Sequence, residues 1–219
     1  MATPPADRKA WEQQQRRNRI VDMAEAVFLR DGYEKAALPA IAEAAGYNRR
    51  TLYLYFKDRE AIFQAVVLRS LTRLLTALEA AARDAHAQTG RLRRLAEAFF
   101  GFAIDNPGDL DLIMAYESRY FVYHGRAAAP EPDGCLAQCQ QVSNDMAQLV
   151  TAAIEAGMAA GAISTDLNPH QLMLILWGQI FGVIKVLNMR RKNFTAAFGI
   201  DRRTLFDHFV GMVERSLAK

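Results

Sequence analysis

The chemistry-bearing residues of this 219-residue chain concentrate between positions 47 and 59: Tyr47, Asn48, Arg49, Arg50, Thr51, Tyr53, Tyr55, Lys57 and Arg59. They offer guanidinium forks, an ammonium, an amide and hydroxyl tips, a set suited to phosphate oxygens and base edges. Enzymatic signatures are missing from the sequence. It has no nucleophile elbow, no phosphate-binding glycine loop, no His-Glu-x-x-His metal pair and no paired carboxylates in a catalytic setting. No enzyme activity, cofactor or metal is therefore expected.

The elements that must position this set are two short helices joined by a turn. Leu38, Ile41, Ala42 and Ala45 recur at helical spacing and mark a buried side. Gly46 can end that helix in the left-handed conformation. Asn48 is a good N-cap for the next helix, with Tyr47 and Leu52 placed as a hydrophobic staple. Leu52 and Phe56 then face a core, while Arg49, Arg50, Thr51, Tyr53 and Tyr55 face outward. This is a helix-turn-helix. Ahead of it, Ile20, Val21, Ala24, Val27 and Phe28 predict an amphipathic helix ended by Asp31-Gly32. Residues 1–15 are either an arm or an extension of that helix.

Ile-Ala, Ala-Gly and Thr-Leu-Tyr-x-Tyr-Phe over residues 41–56 resemble the DNA-binding domain of the tetracycline-repressor (TetR) family, the match running from about Arg17 to Ile62. The resemblance implies that the second motif helix enters a major groove. Arg49 and Arg50 would then contact guanine, and Thr51 a thymine methyl or a phosphate. Arg17, Tyr47, Asn48, Tyr53, Tyr55, Lys57 and Arg59 are counted with the DNA-facing set. Three departures stand out: Ala36 and Ala37 replace hydroxyl residues, Arg50 a small residue, and Arg59 a lysine. The first removes an N-cap and a phosphate contact at the first motif helix.

Composition fits this assignment. Half the residues are apolar and no strand-like alternation persists, so the expected class is all-α, with about nine helices. The net charge is +3, and all of that excess lies in residues 1–59, where 11 Lys/Arg face 8 Asp/Glu. The expected division is a DNA-binding domain at 1–60 and a ligand-binding and dimerisation domain at 61–219. A long helix begins at Asp58, its stripe running from Ile62 to Leu78, and would couple the two.

Further helices are expected at 92–105, 108–124, 133–157, 169–190 and 202–217. Asn168 and Pro169 predict the N-cap and first position of the penultimate one. That helix is apolar nearly all round, as if covered on more than one side. Together with the last helix it suggests homodimerisation through a four-helix bundle, which the resemblance also implies. By resemblance a ligand cavity would involve Phe99, Phe102, Met114, Glu117, Tyr120, Phe121, Trp177 and Phe181, with His124, Gln179 and Lys185 as further polar groups; plain core packing is the alternative for the aromatics. A hydrophobic or aromatic effector would suit such a site. Cys135 and Cys139, four apart, serve either as sensing thiols or as small buried hydrophobes. No targeting segment and no comfortable membrane span is read, so a cytoplasmic location is expected. The function expected is a ligand-responsive repressor on a palindromic operator. The alternatives are an effector-independent DNA-binding regulator and a small-molecule-binding protein whose helix-turn-helix is silent.

Overall fold

The computed structural model describes residues 5–83, 90–120, 134–189 and 191–218. Among these, every regular element is helical: α1 (Pro5–Asp31), α2 (Leu38–Ala45), α3 (Arg49–Tyr53), α4 (Arg59–Arg83), α5 (Arg91–Asp105), α6 (Pro107–Tyr120), α7 (Cys135–Ala159), α8 (Pro169–Met189), α9 (Phe194–Phe198) and α10 (Arg202–Leu217). The all-α expectation holds. The expected string lacked α9, a five-residue turn anchored by buried Phe194 and closed by Gly199 in the left-handed region. It is too short for periodicity to register. α1 begins at Pro5, so the N-terminal stretch extends the helix.

The chain forms two compact units. The first comprises residues 1–72 and 108–141, hence α1 to α3, the first half of α4, most of α6 and the start of α7. Its core is the stripe that the periodicity predicted. Ile20, Val21, Ala24, Val27 and Phe28 meet Ile41, Ala42, Ala45, Leu52, Ile62, Phe63, Val66 and Val67, all within a few per cent of complete burial. Phe28 and Phe63 pack edge to face at 5.4 Å, a geometry in which one ring's positive edge meets the other's negative face. α6 is tied in by a buried hydrogen bond of 2.7 Å from Ser70 Oγ to Asp109 Oδ1. A Cβ built on Gly108 would lie 2.8 Å from Leu29 Cδ2, so only glycine allows this approach without a shift of Leu29.

The second unit comprises residues 73–107 and 142–219. Ile154, Leu172 and Met173 form its buried centre, flanked by Leu92, Val150, Ile163, Trp177 and Leu217. Phe100 and Phe206 stack at 4.3 Å. α8 starts where Asn168 and Pro169 predicted. Asn168 Oδ1 accepts from the Gln171 N–H at 3.0 Å, and Gln171 Oε1 accepts from the Asn168 N–H at 3.1 Å. This reciprocal pair is a capping box. α8 buries Leu172, Met173, Ile184 and Leu187, but leaves Leu174, Ile175, Val186 and Met189 exposed. Its apolar surface exceeds what its own unit covers.

Candidate nucleic-acid interface and cavity

α2 and α3 form the expected helix-turn-helix. Gly46 takes φ +74° at the turn, and the Tyr47 N–H donates to Ala42 O at 2.9 Å. Arg19 Nε adds a 2.9 Å bond to Ala45 O, capping a carbonyl that α2 leaves unpaired. At the other end of α2, Ala37 makes no side-chain cap bond, as the loss of hydroxyls foretold. Asn48 does cap α3: its Oδ1 accepts from the Thr51 N–H at 2.9 Å and from Thr51 Oγ1 at 3.0 Å. Leu52, 1 % exposed, pins the helix to the core.

This leaves Arg49, Arg50, Tyr53 and Lys57 exposed, with Thr51, Tyr47 and Tyr55 half-buried. Arg49 is held in place by its neighbour. Its Nη2 donates to Tyr53 Oη at 2.9 Å and its Cζ lies 5.5 Å from the Tyr53 ring centroid. Arg50 projects freely from the first turn. α3 is shorter than expected and ends at Tyr53, because the chain turns back with the Tyr55 and Phe56 N–H groups both bonded to Leu52 O. Tyr55 therefore follows the helix. Leu54, missed as a site residue, is 76 % exposed beside the cationic set. Its signal was present: it stands two residues from Leu52, off the buried face.

Two arginines of the expected set turn toward the protein. Arg17 is half-buried, its guanidinium 4.8 Å from the Phe56 ring centroid and its Nη2 3.2 Å from Cys135 Sγ. Arg59 Nη1 donates to Ala36 O at 3.0 Å and Glu34 O at 3.4 Å, over the Tyr33 ring at 4.5 Å. Guanidinium donors committed to carbonyls in this way fix the loop before α2.

The second unit holds a half-open cavity of about 330 Å³ between α5, α7, α8 and α10. Phe99 and Trp177, two of the residues named for a ligand site, line it with Leu92, Leu95, Val150, Ile163, Met173, Ile180, Phe209, Val213 and Leu217. Phe181 packs 5.4 Å from Phe99 and 4.6 Å from Trp177, behind that wall. Phe102 is buried but does not line it. Met114 and Glu117 stand on α6 in the other unit and are not brought to this cavity. Gln179 and Lys185 are exposed on α8. The side chain of Tyr120, and Phe121 and His124 altogether, lie outside the described residues. The aliphatic lining was not separable in sequence from ordinary core, since both carry the same helical spacing.

Residues 20–66 match the family described as "Bacterial regulatory proteins, tetR family". The likeness to that family is confined to residues 20–66. It is 33% identical over 88 residues to the "HTH-type transcriptional activator FasR" of Mycolicibacterium smegmatis, a match spanning 40% of each chain. The chain thus matches well under two thirds of that relative's length. Its fold is that of the ketosteroid transcriptional regulator KstR2 of Mycobacterium tuberculosis, with TM-score 0.65, 14% identity, and 93% and 95% of the two chains covered. It is also that of the transcriptional regulator FadR of Bacillus subtilis in complex with stearoyl-CoA, with TM-score 0.64, 15% identity, and 89% and 95% covered. At these identities the likeness is one of fold.

The first unit also carries a charged network whose members lie far apart in sequence. Tyr33 lies beneath both Arg59 and Arg119, with the Arg119 Cζ 4.2 Å from its ring. Its hydroxyl donates to Glu60, and Arg119 Nη1 donates to Glu34 Oε1 at 2.7 Å. Burial and the Glu60 carboxylate both push the Tyr33 hydroxyl above its ordinary value. Through Arg119, α6 grips the loop ahead of the helix-turn-helix. Nearby, burial raises Glu117, and burial with the neighbouring Cys135 and Glu117 pushes the Cys139 thiol up to about 12. Cys139 is fully buried, with Sγ 3.5 Å from Gln64 O. It behaves as a small hydrophobe, while Cys135 is half-exposed.

Proposed function

We propose that this protein is a ligand-responsive, homodimeric DNA-binding transcription regulator that represses from a palindromic operator. The observation that carries the reading is α3: a short helix, capped by Asn48 and pinned by Leu52, that turns Arg49 and Arg50 outward. On this reading residues 1–60 bind DNA and 61–219 bind ligand and dimerise. Arg49 and Arg50 take guanine O6 and N7, and Thr51 takes a methyl or a phosphate. Lys57, Tyr47 and Tyr55 position the backbone, and Leu54 adds apolar contact. Arg17, Arg59 and Asn48 act by holding the domain, since their polar groups are engaged within the protein.

The exposed apolar face of α8, with Met212 of α10 61 % exposed, supports dimerisation through the last two helices. A two-fold dimer would set two α3 helices about 34–36 Å apart, or a multiple of that, facing half-sites on one side of the duplex. The effector on this reading is an apolar small molecule in the α5/α7/α8/α10 cavity. It acts by binding one conformation better than the other. α4 and α7 each contribute to both compact units, and α6 grips the helix-turn-helix loop through Arg119. They are the candidate routes for the coupling. The bound solved structure supports an apolar effector by analogy, as FadR of Bacillus subtilis was crystallised with stearoyl-CoA. The test is selection of bound sequences from a random duplex library at stated salt. Enrichment of one palindrome is expected; a folded dimer that enriches nothing would contradict the reading.

A further inference from the structure

Among its described lining residues the cavity of the second unit is apolar but for Arg91, Arg93 and Glu214. Arg93 is already neutralised: its Nη1 lies 2.7 Å from Glu214 and its Nε 3.1 Å from Glu97. Arg91 is not. Its Nε is buried and has no hydrogen-bond acceptor among the described residues. The start of α5 supplies none either, since Gly90 at the N-cap has no side chain and the first turn holds no acidic residue. A buried donor left without an acceptor is costly. Arg91 lines the cavity without an ion-pair partner among the described residues, and the terminal nitrogens of a guanidinium suit a planar, two-oxygen anion.

We infer that the cavity takes a small amphipathic carboxylate, its apolar body among Phe99, Trp177 and Phe209 and its anionic end on Arg91. This rests on the reading of the cavity as the effector site and adds the guest's chemical class. A cavity of about 330 Å³ suits a small guest such as a medium-chain alkyl carboxylate.

The test uses Trp177 as reporter. The chain has two tryptophans, so Trp11→Phe leaves the cavity's own as the single fluorophore. Decanoate and 1-decanol, nearly equal in size and differing in the head group, are titrated below micelle formation at pH 8. Decanoate is expected to bind about tenfold to a hundredfold tighter, the range for a hydrogen bond to a charged group. Arg91→Met, which keeps the apolar stem, should remove that preference while decanol affinity stays within about twofold. Arg91→Lys should keep part of it, and helical circular dichroism checks that each variant folds. If both compounds perturb Trp177 with equal affinity, or Arg91→Met leaves the preference intact, the carboxylate inference is overturned and the apolar-effector reading stands. If neither compound perturbs Trp177, both fall.

Discussion

Asn48 separates holding the recognition helix from facing DNA, because two substitutions move the two properties in opposite directions. Its Oδ1 accepts two bonds from Thr51, at 2.9 and 3.0 Å, at the start of a helix of five residues. Asn48→Ala removes the acceptor and costs about 1 kcal/mol, within a range of roughly 0.5–2 for lost N-caps. That is about a fivefold rise in local opening, read as faster amide exchange at Thr51. Asn48→Asp keeps the acceptor and adds a negative charge where the helix N-terminus favours one, by about 0.3–1 kcal/mol. On DNA the same charge faces phosphates. At ~4 Å the repulsion runs from about 1 kcal/mol in water to about 4 at a protein surface, so binding falls at least fivefold. The expected order of protection is Asp, then Asn, then Ala; the expected order of affinity by fluorescence anisotropy is Asn, then Ala, then Asp. An Asp variant that binds duplex at least as tightly as the Ala variant would refute the placement of this helix end against DNA. An Ala variant with unchanged exchange would refute the cap's role.

Two further outcomes follow from the first unit. Burial raises Glu117, so the folded state keeps its proton to higher pH than the unfolded chain does, and stability falls as pH rises above the ordinary value of 4.5. Glu117→Gln should therefore be more stable than wild type in urea at pH 8 and lose that advantage at pH 4; superimposable pH profiles would count against it. Cys139, pushed up to about 12 and buried, should resist iodoacetamide at pH 8 while Cys135 is labelled. Mass spectrometry of the peptides decides this, and equal labelling in the folded protein would show that α7 opens.

Much of the fold was legible because the signals are local. Asn48, Gly46, Asn168, Pro169 and the stripe from Ile20 to Phe28 each commit the backbone through their own chemistry. The recognition surface was legible for the same reason, since Leu52 and Phe56 leave only one face for Arg49 and Arg50. What the sequence concealed depends on distant partners. Arg59 and Arg17 look like surface cations until carbonyls near position 36 and a thiol at 135 come within reach. The cavity is a gap between four helices, and a gap leaves no periodicity of its own. Arg91 became informative only once its Nε was seen to lack an acceptor.

Base reading by Arg49 and Arg50 is open to a single titration. Wild type, Arg49→Ala and Arg50→Ala are compared on the selected palindrome and on an unrelated duplex, across a salt series. Each variant is expected to lose about 1–3 kcal/mol on the palindrome, the worth of a good bidentate base contact. Each should lose much less on the unrelated duplex, where only phosphate attraction acts. Equal losses on both duplexes would show that the arginines contribute charge alone. No loss on either would mean that this helix does not meet DNA.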